Sequence, residues 1–332
     1  MSICGGMVTE RSMAVDREGE RISRPRLPVG RYRLVFRADS VEDRRGYWGS
    51  AWRGVLGHAL KRLVCVTQLK ECEPCLLYRS CIYSYVFMTP PPPGSRKLPG
   101  YVAAPHPFVL IPGAPEEDGR HVLGLTLFGW SNRYLAYLVH ALREAARRGL
   151  HKRCGPLELE TVEQESAAGS GDWRPILDGQ GGLAPLAAQA AHWPEPPRRL
   201  RIEFLTPLRL RLRNDLVTPE TFRFSALFVS LLRRISLLTY FHTEDALETD
   251  FAGLAARARG VEVQEARLQW KDWTRYSSRQ QTKLQMGGVT GSVLVEMEAR
   301  EEFWPYLWLG QWTHAGRGTS MGLGRYKVIS AG

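Results

Sequence analysis

The apolar residues of this chain run through one order of elements twice, and that repetition constrains the fold more than any other feature of the sequence. In the first round, Tyr32, Leu34, Phe36 and Ala38 alternate with Arg31, Arg33, Val35 and Arg37. That is the period of a strand with one buried and one basic face. Trp48, Trp52, Val55, Leu56, Ala59, Leu60 and Leu63 then recur at helical spacing. Strands are predicted at 107–111, 122–128 and 157–164, with a helix over 131–149 from an N-cap at Ser131 to a stop at Gly149. The second round has an extended segment at 199–214 and a long apolar helix over 218–241, opened by Thr218 and Pro219. Strands at 261–277 and 291–299, a short helix at 301–312 and a strand at 325–330 complete it. Strand, helix, strand, strand, helix, strand is the split β-α-β order. The predicted fold class is α+β, two tandem ferredoxin-like domains of RRM type (βαββαβ).

At about 150 residues per domain, 332 residues fit two domains. The expected boundaries are a disordered tail at 1–28, an N-terminal domain at 29–166, a linker at 167–197 and a C-terminal domain at 198–332. The linker is rich in Gly, Ala and Pro, although its WRPILDGQ stretch could pair with a neighbour. No run of about 18 uncharged apolar residues occurs, so no membrane span is expected. The N-terminus lacks the apolar core of a secretory signal, which makes a cytoplasmic location the default expectation.

Lys plus Arg total 45 against 34 for Asp plus Glu, a net charge of +11, and 38 of those cations are Arg. Arg grips phosphate with a planar fork, so the excess suits a nucleic-acid partner. The competing reading is a GC-rich genome that writes Arg wherever Lys would serve.

Cys65, Cys72, Cys75 and Cys81 are separated by six, two and five residues, an insertion at 65–82 between helix and strand. Four thiolates complete a closed tetrahedral site, so a structural zinc ion is expected there, with an iron–sulfur cluster as the alternative of equal ligand count. Incidental thiols are the bland reading. A closed site leaves no position for catalysis, and no catalytic metal is expected.

On the helix wheel His58 falls off the buried stripe, beside Tyr47 three turns earlier and Lys61 one turn later, with Gly54 clearing space before it. Such a group suits RNA cleavage. An imidazole is acid or base near neutral pH, a Tyr hydroxyl positions or donates, and a cation offsets charge growing on phosphate. The bland reading is a histidine that faces solvent.

Between the last helix and strand, Gly316, Gly318, Gly322 and Gly324 are interleaved with Arg317 and Arg325 and preceded by His314. Glycines let backbone approach phosphate oxygens; equally, they serve a loop that needs positive φ. Upstream, Trp270, Trp273 and Tyr276 alternate with Lys271, Arg275, Arg279 and Lys283. Aromatic planes and cations together suit structured RNA, unless the aromatics fill the core from one side of a hairpin.

Four stretches, WRGVLGHALKRLVC with its trailing cysteines, PHPFVLIP, WKDWTRYSSRQ with MGGVTG, and GRGTSMGLGRY, resemble one family in combination. It is the CRISPR-associated endoribonuclease that cuts precursor crRNA, within the superfamily of repeat-associated mysterious proteins (RAMPs), and the four-cysteine insertion belongs to part of it. The resemblance implies two ferredoxin-like domains with RNA in a basic cleft or along one face. It implies metal-independent cleavage of CRISPR repeat RNA by its 2′-OH, leaving 5′-hydroxyl and 2′,3′-cyclic phosphate ends. It also implies a catalytic His on the first helix with Tyr and Lys nearby, matched here by His58, Tyr47 and Lys61. Arg53 is assigned to RNA binding and, with Arg44, held in reserve for catalysis because some members use arginines. Other CRISPR effector subunits are implied partners. The alternative is a non-catalytic crRNA-binding subunit; a zinc-ribbon DNA-binding protein is disfavoured for want of a recognition helix.

Overall fold

The computed structural model describes residues 24–38, 48–95, 97, 103–114, 116, 118–150, 155–178, 180–212, 215–272, 274–277 and 282–331, with the backbone alone at 274–277 and 282–285. The first domain runs β1 (Pro28–Ala38), α1 (Gly49–Val64), β2 (Phe108–Pro112), β3 (Arg120–Phe128), α2 (Leu135–Arg147) and β4 (Leu157–Glu165). Two short strands, β5 (Trp173–Pro175) and β6 (Gln189–Ala190), follow. The second domain runs β7 (Arg199–Leu208), a two-residue pair β8 (Arg211–Leu212) and β9 (Asp215–Leu216), α3 (Phe224–His242) and α4 (Phe251–Arg259). It continues through β10 (Val263–Lys271), β11 (Thr274–Ser277), β12 (Thr282–Gln285), β13 (Gly288–Glu296), α5 (Trp304–Thr313) and β14 (Tyr326–Ser330).

The sheets pair in the orders β2-β3-β1-β4-β5 and β10-β13-β7-β14, every ladder antiparallel. In each half the unit's first strand lies between its third and fourth, with the second at the edge. The two halves are therefore the same ferredoxin-like unit twice, as the sequence pattern predicts.

Packing explains why these segments fold as they do. Along β1 the residues Tyr32, Leu34 and Phe36 are buried against Trp52, Leu56 and Leu60 of α1 and Leu138 and Leu142 of α2. The rings of Phe36 and Trp52 stand 5.1 Å apart. Val35, expected on the basic face, is buried as well. In the second domain α3 lies against α4 and α5, with Leu227, Phe228, Leu231 and Ile235 fully enclosed. By length and composition this helix is apolar enough to cross a membrane, although Arg233 and Arg234 interrupt its apolar run. Its apolar residues serve the core. Leu27, Val29, Val109 and Phe128 of the first domain belong to that same core, so the two domains share one packed seam.

Several boundaries move. Residues 1–23 of the expected tail lie outside the described residues, but Leu27 is fully buried and β1 begins at Pro28. The expected linker instead continues the first domain: β5 extends its sheet, β6 pairs with β1, and Ile176 and Ala191 are buried. The Gln164 side chain holds the return by donating to the Leu186 carbonyl and accepting from its amide. Ser131 does not cap α2. It sits in a preceding 3₁₀ turn (Gly129–Tyr134), where its Oγ accepts from the Phe128 amide. The segment 218–223 is a turn before α3, and α4 has no counterpart in the sequence reading.

Candidate functional site

Two motifs from opposite ends of the chain meet in the folded molecule. The 3₁₀ turn Thr319–Met321, inside the glycine-rich loop, packs against α1 and β2. Arg53 of α1 fastens the contact. Its Nε donates to Ser320 Oγ at 3.1 Å and its Nη2 to His106 Nε2 at 3.0 Å, while the guanidinium lies 5.4 Å from the Phe87 ring centre. Arg53 is half-buried, so its fork serves the domain seam and not an open phosphate site.

The glycine-rich loop is built for the fold. Gly316, Gly318, Gly322 and Gly324 all take positive φ, and a Cβ on Gly324 would stand 1.8 Å from the Ala315 carbonyl. Within 315–325, the amides of Ala315, Gly316, Arg317, Met321, Gly322, Leu323, Gly324 and Arg325 already donate to protein acceptors. Those amides cannot also cradle a phosphate. His314 is fully buried at positive φ and donates from Nδ1 to the Leu323 carbonyl at 3.1 Å. Its expected contact with RNA is therefore corrected: it holds the loop from inside. What the loop exposes is Arg317, with Arg325 half-buried beside Arg31 of β1.

From Arg317 the cations continue into the second domain. The Arg317 amide donates to the Arg209 carbonyl at 3.0 Å, and the Arg209 side chain bonds the Gly287 carbonyl at the base of the β11–β12 hairpin. Burial, and next the charges of Arg317 and Arg211, lower the Arg209 pKa. Of the expected RNA contacts, Lys271 is exposed at the end of β10, while Arg275 and Lys283 lie on the paired strands β11 and β12. Trp270 is 38% exposed with Nε1 donating to Asp272, so it does not fill a core. Trp273 and Arg279 lie outside the described residues, as do Tyr47 and Arg44.

His58 is exposed on α1, and a Cβ on Gly54 would meet nothing within 4 Å, so that strip of the helix is open. Arg62, one turn beyond His58, is exposed too. Lys61 is not on this open strip. Its Nζ donates at 3.1 Å to the carbonyls of both Leu69 and Lys70, which ties it to the cysteine insertion instead of a phosphate. All four cysteines are free and line one small cavity.

Behind the strip the seam holds groups that sequence reasoning missed. An Arg can only donate, so His106 Nε2 accepts from Arg53 and its proton sits on Nδ1, which has no partner among the described residues. Burial first, then the charges of Arg53 and Arg234, push the His106 pKa down to about 3. Burial and then Arg325 bring His314 to about 3, and burial brings His242 to about 4. His242 donates from Nε2 to the Pro105 carbonyl at 2.8 Å and accepts at Nδ1 from the Tyr85 hydroxyl at 3.0 Å. Arg234 donates to the Thr313 carbonyl at 2.6 Å, with its own pKa lowered to about 10 by burial. No local spacing signals these groups; only His106, within PHPFVLIP, lies in a motif the sequence singles out.

Two tandem ferredoxin-like domains, with a glycine-rich loop of the second locked onto the first helix, define the fold class of the protein. Comparison with known proteins is more specific. Residues 202–326 match the family model of the CRISPR-associated endoribonuclease Cas6, and residues 27–189 match a model described as an N-terminal domain. The product complex of a Cas6 protein from Thermus thermophilus is similar in fold, with a TM-score of 0.55 at 18% identity, covering 91% of this chain and 99% of that one. A partial Cas6-RT-Cas1–Cas2 complex gives a TM-score of 0.52 at 16% identity, over 93% of this chain and 47% of that larger one. No curated protein matches the sequence. The Cas6 family model thus covers the second domain, and over nine-tenths of the chain the fold is that of the Cas6 protein.

Proposed function

We propose that this protein is an endoribonuclease that cuts precursor crRNA within CRISPR repeats, using the ribose 2′-OH beside the scissile phosphate as nucleophile. One observation carries the reading. The hairpin base is bonded to Arg209 and Arg209 to Arg317 of the glycine-rich loop, while Ser320 of the same loop is bonded to Arg53 on the helix bearing His58. The exposed fork of Arg317 in that loop suits a phosphate backbone, and the exposed plane of Trp270 suits an unstacked base. The product complex of the Thermus thermophilus protein supports an RNA substrate, and the Cas6-RT-Cas1–Cas2 assembly supports other CRISPR proteins as partners.

In the proposed reaction the 2′-oxygen loses its proton and bonds to phosphorus as the bond to the 5′-oxygen breaks and that oxygen gains a proton. The ends are a 2′,3′-cyclic phosphate and a 5′-hydroxyl. His58 is the acid or base, since it is exposed on α1 and an imidazole nitrogen can take or give a proton. Arg62, exposed one turn beyond His58, is assigned in place of Lys61 to offset the charge growing on the phosphate. The chemistry calls for proton transfer and a fixed cation, so no catalytic metal enters it.

His58→Ala is expected to slow cleavage of a repeat RNA by on the order of 10²-fold while binding persists. Equal rates for parent and variant would remove His58 from the mechanism. Parent protein that binds the repeat and leaves it intact would favour the non-catalytic subunit instead.

A further inference from the structure

The insertion between α1 and the first sheet is folded inside out. From Cys65 to Cys81 every residue is exposed except Cys65, Cys72, Cys75, Tyr78 and Cys81. Val66 is 75% and Leu76 fully exposed, with Leu69 and Leu77 above 40%. A segment ordered by the hydrophobic effect would bury those aliphatic side chains and leave the thiols where they fell. Here the sulfurs are what the chain wraps around.

The backbone conforms to the same centre. The Cys75 amide donates to the Cys72 carbonyl at 3.0 Å and the Tyr78 amide to the Cys75 carbonyl at 2.9 Å, which makes a tight turn of the Cys-x-x-Cys core. The Cys81 amide closes onto the Leu77 carbonyl at 2.8 Å, and Lys61 clamps the other limb through Leu69 and Lys70. All four cysteines line one cavity of about 30 Å³, with Lys61 and Tyr83 at its wall. Thr67 Oγ1 sits 3.4 Å from the Cys75 sulfur and 4.0 Å from that of Cys65. The thiols ring the cavity without closing it: among the described residues no three His, Cys, Asp or Glu side chains are placed to hold one ion together. Binding therefore requires the sulfurs to draw inward, which turns and exposed loop allow.

We propose that Cys65, Cys72, Cys75 and Cys81 bind one zinc ion as thiolates in a closed tetrahedral site that orders the insertion. Each thiol gives up its proton to solvent on binding, and no oxidation state changes. Zinc with four thiolates carries a net charge of −2, and the Lys61 ammonium at the cavity wall offsets part of it. The site supplies the organisation that this segment lacks in buried apolar surface.

The test is elemental analysis of the full chain purified without chelator. It should carry about one zinc per molecule, and Cys72→Ser should fall to about a tenth of that with the circular dichroism of the two domains retained. Cobalt(II) added to metal-stripped parent protein supplies a second measurement should the variant not fold. The thiolate-to-cobalt and d–d absorptions of a tetrahedral site should appear and saturate at one equivalent, and zinc should abolish them. Parent protein that carries neither metal nor cobalt response overturns the proposal. Iron with acid-labile sulfide in its place overturns the assignment to zinc. Neither outcome depends on RNA cleavage.

Discussion

At the scale of single residues, close approach decides what the sequence cannot. Gly310 lies inside α5, where Ala would ordinarily be the better helix former by about 1 kcal/mol. In the fold a Cβ there would stand 2.0 Å from the Tyr326 hydroxyl and 2.7 Å from Leu231. That hydroxyl is buried and donates to the Leu307 carbonyl at 2.7 Å. Overpacking of this kind costs about 1–3 kcal/mol, and an orphaned buried hydroxyl costs about as much again. Gly310→Ala is therefore expected to lower the urea midpoint by an amount worth roughly 2 kcal/mol. A midpoint at or above that of the parent would contradict the packing described for α5 and β14. The same limit explains His314 and Lys61. Spacing put both beside phosphate, but which atoms a side chain meets depends on partners far along the chain or on loop carbonyls with no sequence signature.

At the scale of elements, period-two and period-3.6 patterns made most of the strands and helices legible, because each half buries one face of a sheet under two or more helices. The patterns fail where an element has little face to bury. The strands β5 and β6, of three and two residues, are too short to show a period, and α4 buries only Leu254 and Ala258. The docking of the glycine-rich loop on α1 is not legible at all: Arg53 and Ser320 are 267 residues apart. That contact sets where α1 stands relative to the arginine strip. Arg53→Ala, which removes both hydrogen bonds, is expected to cut the single-turnover cleavage rate by about tenfold or more, since small misplacements of a reacting group are costly. RNA affinity should fall by less than about threefold, because Arg317 and the hairpin remain. Arg53→Lys should stay slow, as an ammonium cannot make the two-point grip. An unchanged rate with weakened binding would make Arg53 an RNA contact and not a positioning residue.

At the scale of the whole molecule, the seam couples folding to pH. His106, His242 and His314 are held neutral at about 3, 4 and 3, whereas the unfolded chain returns each to the ordinary 6.5. Between those values the unfolded state binds protons that the folded state refuses, so stability rises with pH. It is fully present above about pH 6.5 and is lost as pH falls toward 4, at up to about 1.4 kcal/mol per pH unit for each histidine. Urea unfolding at pH 7 and pH 5 should give a lower midpoint at pH 5; a midpoint unchanged or higher at pH 5 would mean that the seam does not bury these rings.

The doubled architecture was legible in the sequence because it is written in hydrophobic period. The seam between its halves was not, because its hydrogen bonds run between residues that no local pattern relates. That seam brings the basic strip to the helix bearing His58, where the account has a ribose oxygen attack its own phosphodiester. The most direct measurement uses a repeat RNA carrying a single 2′-deoxy sugar on the 5′ side of the cleaved bond, in buffer with EDTA. The account predicts that the all-ribose RNA is cut to 2′,3′-cyclic phosphate and 5′-hydroxyl ends while the deoxy RNA is bound and left whole. Cleavage of the deoxy RNA, or 5′-phosphate ends on the all-ribose one, would contradict it.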